Sequence, residues 1–375
     1  MTKTLFVDAH TFDECHQGIR TFMKGIYETI DVTPSELQIF LAANDVENLK
    51  TEFSNQPNFK FIELKSRNKY IRLGYEIPKI IKKNKFDFAH FNYYLPLFLN
   101  KKCNYIVTIH DVLFIDFPQY FPLKYKLINT FLFKRSAVKA NIVTTVSNYS
   151  ARRIKENFNI ADKKIEVLPN AVNSKYIDNH DKLDDKNYLK KKYGLDSFIV
   201  YVSRIEPRKN HEKLIQAYQE LKLWEQGISL VLIGKESFKD EELFKLIDEV
   251  SQLSKGKLLK LNDIPNVDLI KFYNAATLAV FPSLCEGFGI PPIESAVLKT
   301  STICSHSTAM KDFFFFEDRF FDANSKEAIK TKIEEYLSKN HQENELIKIA
   351  NCIKKTYNWS ITAQKLKSLI LDDKG

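Results

Sequence analysis

Glu286 and Glu294 stand eight positions apart in the run Phe281-Pro-Ser-Leu-Cys-Glu-Gly-Phe-Gly-Ile-Pro-Pro-Ile-Glu294. The pattern predicts a strand ending at Phe281, a glycine turn through Gly287, Phe288, Gly289 and Ile290, and a helix from about Pro291. Proline suits a first helical turn, whose N–H groups lack intrahelical partners in any case. Glycines let backbone approach a ligand closely, and a helix N-terminus favours anions. Carboxylates here would repel phosphate but accept hydrogen bonds from sugar hydroxyls. The bland alternative is a helix start with an acidic neighbour.

Ser203-Arg-Ile-Glu-Pro-Arg-Lys-Asn210 follows a predicted strand, Phe198–Val202, and places Arg204, Arg208 and Lys209 at its C-terminal end. Arginine can grip phosphate with two parallel hydrogen bonds, and lysine adds a mobile charge. Arg208 is expected either in solvent or against Glu206. A surface basic turn is the other reading of the cluster.

Weaker signals lie in the first half of the chain. Gln17-Gly18-Ile-Arg-Thr-Phe22 opens a helix after strand Thr4–Ala9, and Gly18 would make a turn presenting N–H groups to phosphate, or simply a turn. His110-Asp111 ends strand Tyr105–His110, the edge at which α/β sheets bind ligands. Asp111 reads better as a local cap. Pro169-Asn170-Ala-Val172 reads as a linker in which Asn170 positions backbone.

With these runs, the chain resembles the family 4 retaining glycosyltransferases of GT-B fold, from about Leu5 to Ile370. Their signature, E-G-F-G-x-P-x-x-E, is matched by Glu286 and Glu294 residue by residue. The resemblance implies that Glu286 contacts the donor hexose, Glu294 the ribose hydroxyls, and Arg204 with Lys209 the diphosphate. It also places His110 near the transferred sugar and Gly18 where relatives carry G-I-G-R-Y, here with one glycine. The wording I-E-P-R-K-N and H-D-V-L-F-I-D-F-P-Q-Y-F-P is similar to bacterial polysaccharide mannosyltransferases, which makes GDP-mannose the first donor to consider. The implied enzyme retains configuration and needs no cofactor beyond its nucleotide-sugar co-substrate. Ser305–Asp322 departs from the family with a block of aromatics, which either alters packing behind the donor site or forms a contact surface.

The elements that must position these residues alternate. Strands at Thr4–Ala9, Leu37–Ala42, Phe59–Leu64, Phe86–Phe91, Tyr105–His110, Asn141–Val146 and Ile165–Leu168 interleave with helices at Gly18–Ile30, Tyr70–Lys83, Leu123–Ala137 and Tyr149–Asn157. A polar stretch, Asn173–Lys192, interrupts the pattern before it resumes. Such alternation argues βαβ units and parallel sheets. The predicted class is α/β, two doubly wound Rossmann-like domains facing across a crevice. The division expected is 1–171 on the acceptor side, 172–356 for the nucleotide sugar, and 357–375 as a helix returning to the first domain.

Composition narrows the function classes. The chain has 375 residues, natural for two domains, with 10 glycines and 5 cysteines. No Cys-x-x-Cys occurs, which excludes a zinc knuckle and points to a reducing compartment. No Asp-x-Asp sits at a strand end, so no metal is expected. The apolar run within Met1–His10 is too short for a signal peptide and no window could span a membrane, so a cytoplasmic protein is expected.

Charge is lopsided. Of the net +9, Met1–Asn170 carries +8, from 25 basic and 17 acidic residues. Lys65, Arg67, Lys69, Arg72, Lys79, Lys82, Lys83 and Lys85 crowd one segment. Either this is a solvated lysine surface or it rests on the anionic inner membrane leaflet near a lipid-linked acceptor. A nicotinamide dehydrogenase would need G-x-G-x-x-G after the first strand, which is missing. A nucleic-acid binder would leave the glutamate pair without a purpose.

Overall fold

The computed structural model of the chain describes residues 2–13, 17–160, 165–178, 180–237, 240–339 and 343–372. Contacts divide it into two compact units, Met1–Ala171 with Tyr357–Gly375, and Val172–Thr356.

The first unit is built on seven parallel strands: β1 (Lys3–Asp8), β2 (Leu37–Ala43), β3 (Lys60–Glu63), β4 (Phe88–Asn92), β5 (Asn104–Thr108), β6 (Ile142–Thr145) and β7 (Ile165–Val167). Their order is β3-β2-β1-β4-β5-β6-β7. Central strands covered by helices on both faces read as continuous apolar runs; all five residues of β4 are buried. Phe6, Phe86 and Phe91 pack ring against ring in the core beneath.

The second unit repeats the plan with β8 (Ser197–Val202), β9 (Ile228–Ile233), β10 (Leu258–Leu261), β11 (Leu278–Phe281), β12 (Thr302–Ser305) and β13 (Phe320–Phe321), ordered β10-β9-β8-β11-β12-β13. All pairings are parallel. Strand order reverses between β1 and β4 in one sheet and between β8 and β11 in the other. At such a point neighbouring connections leave toward opposite faces and open a place for ligand beyond the strand C-termini.

Two expectations need correction, and one strand was not anticipated. The single helix over Tyr70–Lys83, with Ile71, Tyr75, Pro78 and Ile81 inward, is broken into a turn at Lys69–Ile71, a π turn at Arg72–Glu76 and a helix at Ile77–Asn84. Pro78 has no N–H to give the carbonyl four residues back, and the chain widens there. The inward stripe becomes Leu73, Ile77 and Ile81, while Ile71 and Tyr75 are 54% and 66% exposed. Within Asn173–Lys192 lies a helix, Lys182–Tyr193, capped by the Asp181 carboxylate and ended by Gly194 in the left-handed region. It was illegible because only Asp185 and Leu189 of its residues are buried. Finally, the aromatic block contains β13.

The last helix, Trp359–Leu371, belongs to the first unit. Its Trp359 ring lies so close to Gly25 that a Cβ there would come within 2.2 Å of it. Lys3 Nζ donates to the carbonyls of Ile370 and Leu371 at 2.7 and 3.0 Å, closing the far end.

Candidate functional site

The two strongest sequence runs leave the second sheet from β8 and β11, the neighbours at its switch point, so residues far apart in sequence meet. The loops are tied directly: Leu284 N–H donates to the Arg208 carbonyl at 2.8 Å, and Asn210 Nδ2 to the Pro282 carbonyl at 3.0 Å. Asn210 is left-handed, with φ of 60°, a conformation asparagine tolerates better than most residues.

Glu286 is the hub. Lys209 Nζ donates to its Oε1 at 2.5 Å and Arg208 Nη1 to its Oε2 at 3.1 Å. Its own N–H is held by Thr308 Oγ1 at 2.8 Å. Thr308 is β-branched yet has φ of 44°, a strained backbone of the kind that clusters at functional sites. Burial alone would raise the Glu286 pKa; the Lys209 ammonium and the Arg208 guanidinium overcome it and hold the carboxyl at about 2. Burial lowers the pKa of Lys209, against the opposing pull of Glu286. The group is therefore a nearly dry, paired ion cluster. Such a pair is costly to break from one side, because the remaining charge stays buried.

Arg208 takes the second of its two expected places, against Glu206. Its side chain is 14% exposed and bonds Glu206 Oε1 at 2.6 Å; beyond that expectation it also holds Glu286 and donates to the Cys285 carbonyl at 2.9 Å. Arg204, by contrast, is half exposed and reaches Glu206 only at 3.9 Å. Lys209 joins the cluster and Arg204 stands at its open edge.

Gly289 has φ of 103° and opens the helix Ile290–Val297, with Pro291 and Pro292 in the first turn. A Cβ on Gly289 would lie 3.1 Å from Met310 Cγ and 3.3 Å from a Phe313 ring carbon. Phe288 meets Phe313 edge-on at 5.6 Å. The aromatic block thus packs against the glycine turn, although Phe314 remains 59% exposed.

Glu294 sits four residues into that helix, partly buried. Tyr273 Oη donates to its Oε2 at 3.4 Å, and the Tyr176 hydroxyl lies near the same carboxyl. Burial pushes its pKa up to about 7, in spite of both tyrosines. Two carboxylates in one motif are thus driven apart, one held ionised and one poised near neutrality. Sequence reading missed Tyr176, Tyr273 and Thr308; they lie outside the motifs and only the fold brings them in.

The first-unit candidates form a separate group. His110 lies two residues beyond the end of β5, not within it, because the β5 ladder stops at Thr108. It is 7% exposed, bonded through Nε2 to Asn92 Oδ1 at 2.9 Å, with the Phe22 ring edge-on at 4.9 Å. Burial drives its pKa down to about 3, so the ring is neutral. Asp111 Oδ1 accepts the Leu113 N–H at 3.2 Å, a local cap. Asn170 is buried, and its Oδ1 makes no hydrogen bond. Gly18 is not in a turn but within the helix Gln17–Thr29; a Cβ there would meet nothing within 4 Å. Of the five cysteines, Cys15 lies outside the described residues and the other four are free thiols.

The family model described as "Glycosyl transferases group 1" matches residues 185–353, and that described as "Glycosyltransferase Family 4" matches residues 37–176. "Serotype-specific mannosyltransferase WbdA" of Escherichia coli is 31% identical over 227 residues, 60% of this chain and 28% of that protein. "O-antigen chain mannosyltransferase B" of Escherichia coli is 28% identical over 243 residues, 64% of this chain and 62% of that one. The chain thus spans less than two thirds of the length of either relative. Among solved structures, a glycosyltransferase from Rickettsia africae ESF-5 superposes with a TM-score of 0.72 at 17% identity, covering 99% of both chains. That likeness is one of fold.

Proposed function

The chain belongs to the family 4 glycosyltransferases and has their GT-B fold, and from that premise we propose that it moves a hexose from a nucleotide-diphosphate sugar to a growing bacterial surface polysaccharide. The observation that carries the proposal is the union of Glu286, Lys209 and Arg208 beside the Gly289 helix start. Mannose from GDP-mannose is the first donor to test, since the two named relatives are mannosyltransferases.

In this reading Glu286 accepts from hexose hydroxyls and Glu294 from the ribose. Arg204, Lys209 and the N–H groups at Gly289 and Ile290 stabilise the departing diphosphate, which is where charge develops. The anomeric carbon–phosphate oxygen bond breaks, and the acceptor oxygen bonds the same face of that carbon. Attack on the same face retains configuration; the leaving phosphate oxygen takes the acceptor's proton, and no metal takes part. Neutral His110 serves the sugar by hydrogen bonding, not by charge. The basic first unit takes a saccharide or lipid-linked acceptor.

Saturation-transfer NMR with a panel of nucleotide sugars tests the donor, followed by transfer of labelled sugar to membrane-extracted acceptor. Saturation transfer from GDP-mannose with product of retained configuration is expected. Binding of no nucleoside diphosphate would overturn the proposal; preference for another sugar would overturn only its mannose clause.

A further inference from the structure

An open hollow of about 620 Å³ lies on the second unit, at the edge of its sheet opposite the glutamate–lysine cluster. The helices His211–Leu221 and Glu241–Leu253 both end there, just before β9 and β10 begin, whereas Lys209 and Glu286 follow the far ends of β8 and β11. The six residues of β9 put about 20 Å between the two edges.

The floor of the hollow is apolar and fixed. Trp224, in the turn Leu223–Gln226, packs its ring against Tyr218 at 5.6 Å, and Tyr218 Oη donates to the Ile228 carbonyl at 2.9 Å. Leu253, the other apolar wall, is 54% exposed. The rim is polar and carries Gln219, Lys222, Glu225, Lys255 and Lys257. Among the described residues none of these five side chains has a hydrogen-bond or ionic partner. Lysines further along the same helix and strand do have one, Lys245 with Glu249 and Lys260 with Glu236. Lys222 and Lys255 are also left-handed, with φ of 48° and 53°. Glycine would end those two helices at lower cost. A cation complements a helix C-terminus, which accounts for part of this choice. It does not account for Lys257, which lies beyond both helices.

An aromatic face ringed by unused donors and acceptors suits a sugar: the C–H face lies on the ring and the hydroxyls meet the rim. Three lysines against one glutamate add a preference for negative charge. We propose that the hollow binds an acidic segment of the growing polysaccharide, with a sugar ring on Trp224 and its carboxylate or phosphate on Lys222, Lys255 and Lys257. The inference rests on the proposed function, since it takes the polymer as the enzyme's own product. A hold on the edge away from the chemistry keeps the chain near the enzyme between transfers and raises its effective concentration.

Tryptophan emission of the full chain is the first measurement, because of the two tryptophans Trp359 is 7% exposed and Trp224 lines the hollow. Oligomannuronate, an acidic saccharide, should change that emission saturably, and less as salt rises. Neutral oligomannose should bind about tenfold more weakly. Lys222→Glu, Lys255→Glu and Lys257→Glu together should lower affinity for oligomannuronate about tenfold or more, and they remove no contact within the fold. Trp224→Leu, followed by affinity electrophoresis, should weaken binding as well. With membrane-extracted polymer as acceptor, the triple lysine variant should show a raised KM at unchanged kcat. Binding of a nucleoside diphosphate and transfer to a short saccharide should stay as in wild type, which separates failure here from failure of the catalytic reading. Equal affinity of wild type and the triple variant for oligomannuronate, equal affinity of wild type for the neutral oligomer, or an unchanged KM on extracted polymer would each overturn the proposal.

Discussion

Lys209 Nζ lies 2.5 Å from Glu286 Oε1 although 77 residues separate them in sequence. They meet because β8 and β11 are paired neighbours and each sends its loop over the same edge. The pairing exists in the protein alone, so the cost of desolvating both charges is met in folding, not on substrate binding. Arg208 is the second restraint. By holding Glu286 Oε2 it orients the carboxylate independently of Lys209.

Lys209→Ala should lower kcat by about 10²–10³, the effect of losing one preorganised electrostatic stabiliser. Arg204→Ala should do the same to kcat with little change in stability, because that side chain is half exposed. Arg208→Ala differs: it strands part of a buried ion cluster and should destabilise the protein by about 3 kcal/mol. Steady-state kinetics and urea titrations of the three variants check the division. Kinetics within threefold of wild type for both Lys209→Ala and Arg204→Ala would sink the diphosphate assignment.

Strands and their alternation with helices were legible in sequence because strands covered on both faces have to be apolar throughout. The glutamate pair and the basic loop were legible as well, since each is contiguous. What was hidden depends on packing across elements. Arg208 is chemically indistinguishable from Arg204 in sequence; only the distance to Glu286 separates an anchored guanidinium from an open one. Tyr176 and Tyr273 reach Glu294 from separate segments. The π turn at Arg72–Glu76 rotated a stripe that periodicity had read as continuous. The Leu123–Lys139 helix was found by its pattern, but which face it buries was not readable, because both faces are mixed.

The Glu294 carboxyl, pushed up to about 7 by burial, should make nucleotide affinity depend on pH. An ionised acceptor binds ribose hydroxyls more strongly than a protonated one. Affinity for a nucleoside diphosphate should therefore rise several-fold between about pH 6 and pH 8. Glu294→Gln should weaken binding by about 1.5–3 kcal/mol at the upper pH and flatten the profile. Calorimetric titration of both proteins checks this, and the variant subtracts the ligand's own phosphate ionisation. An equal slope in both proteins would refute the ribose role.

Gly289→Ala tests the turn itself. The residue has φ of 103°, and the new methyl would press on Met310 and Phe313. The Met310 side chain can move; the backbone conformation cannot be relieved so cheaply. A loss of about 1–3 kcal/mol in denaturant unfolding is expected, with nucleotide affinity falling because the helix start shifts. A wild-type midpoint would show that the turn carries no such strain.

Two buried histidines of the first unit should make it sensitive to acid. His90 is held between Tyr27 Oη at 2.6 Å and Thr108 Oγ1 at 2.8 Å, and burial pushes its pKa down to about 4. His110 is held lower still, at about 3, by burial and by the proximity of His90. Both are bases whose pKa is depressed on folding. The unfolded chain takes up their protons near pH 6.5, whereas the folded chain refuses them until the pH approaches 4 or 3. Their contribution is therefore complete above about pH 6.5 and is lost as pH falls, by about 1.4 kcal/mol per pH unit for each histidine. Glu286 adds to the loss only below the usual carboxylate range, as pH falls toward about 2. In the second unit Glu294, with its raised pKa, acts oppositely between about pH 4.5 and 7, and buried His211, pushed down to about 3, offsets it, so the fall set by the two first-unit histidines remains. Thermal unfolding followed from about pH 7 to about pH 5 should show a falling midpoint. His90→Gln and His110→Gln should each reduce that fall while lowering the midpoint at about pH 7, where the native hydrogen bonds are lost. If neither variant changes the slope, the buried rings are taking up protons in the folded state, and the neutral role assigned to His110 fails with them.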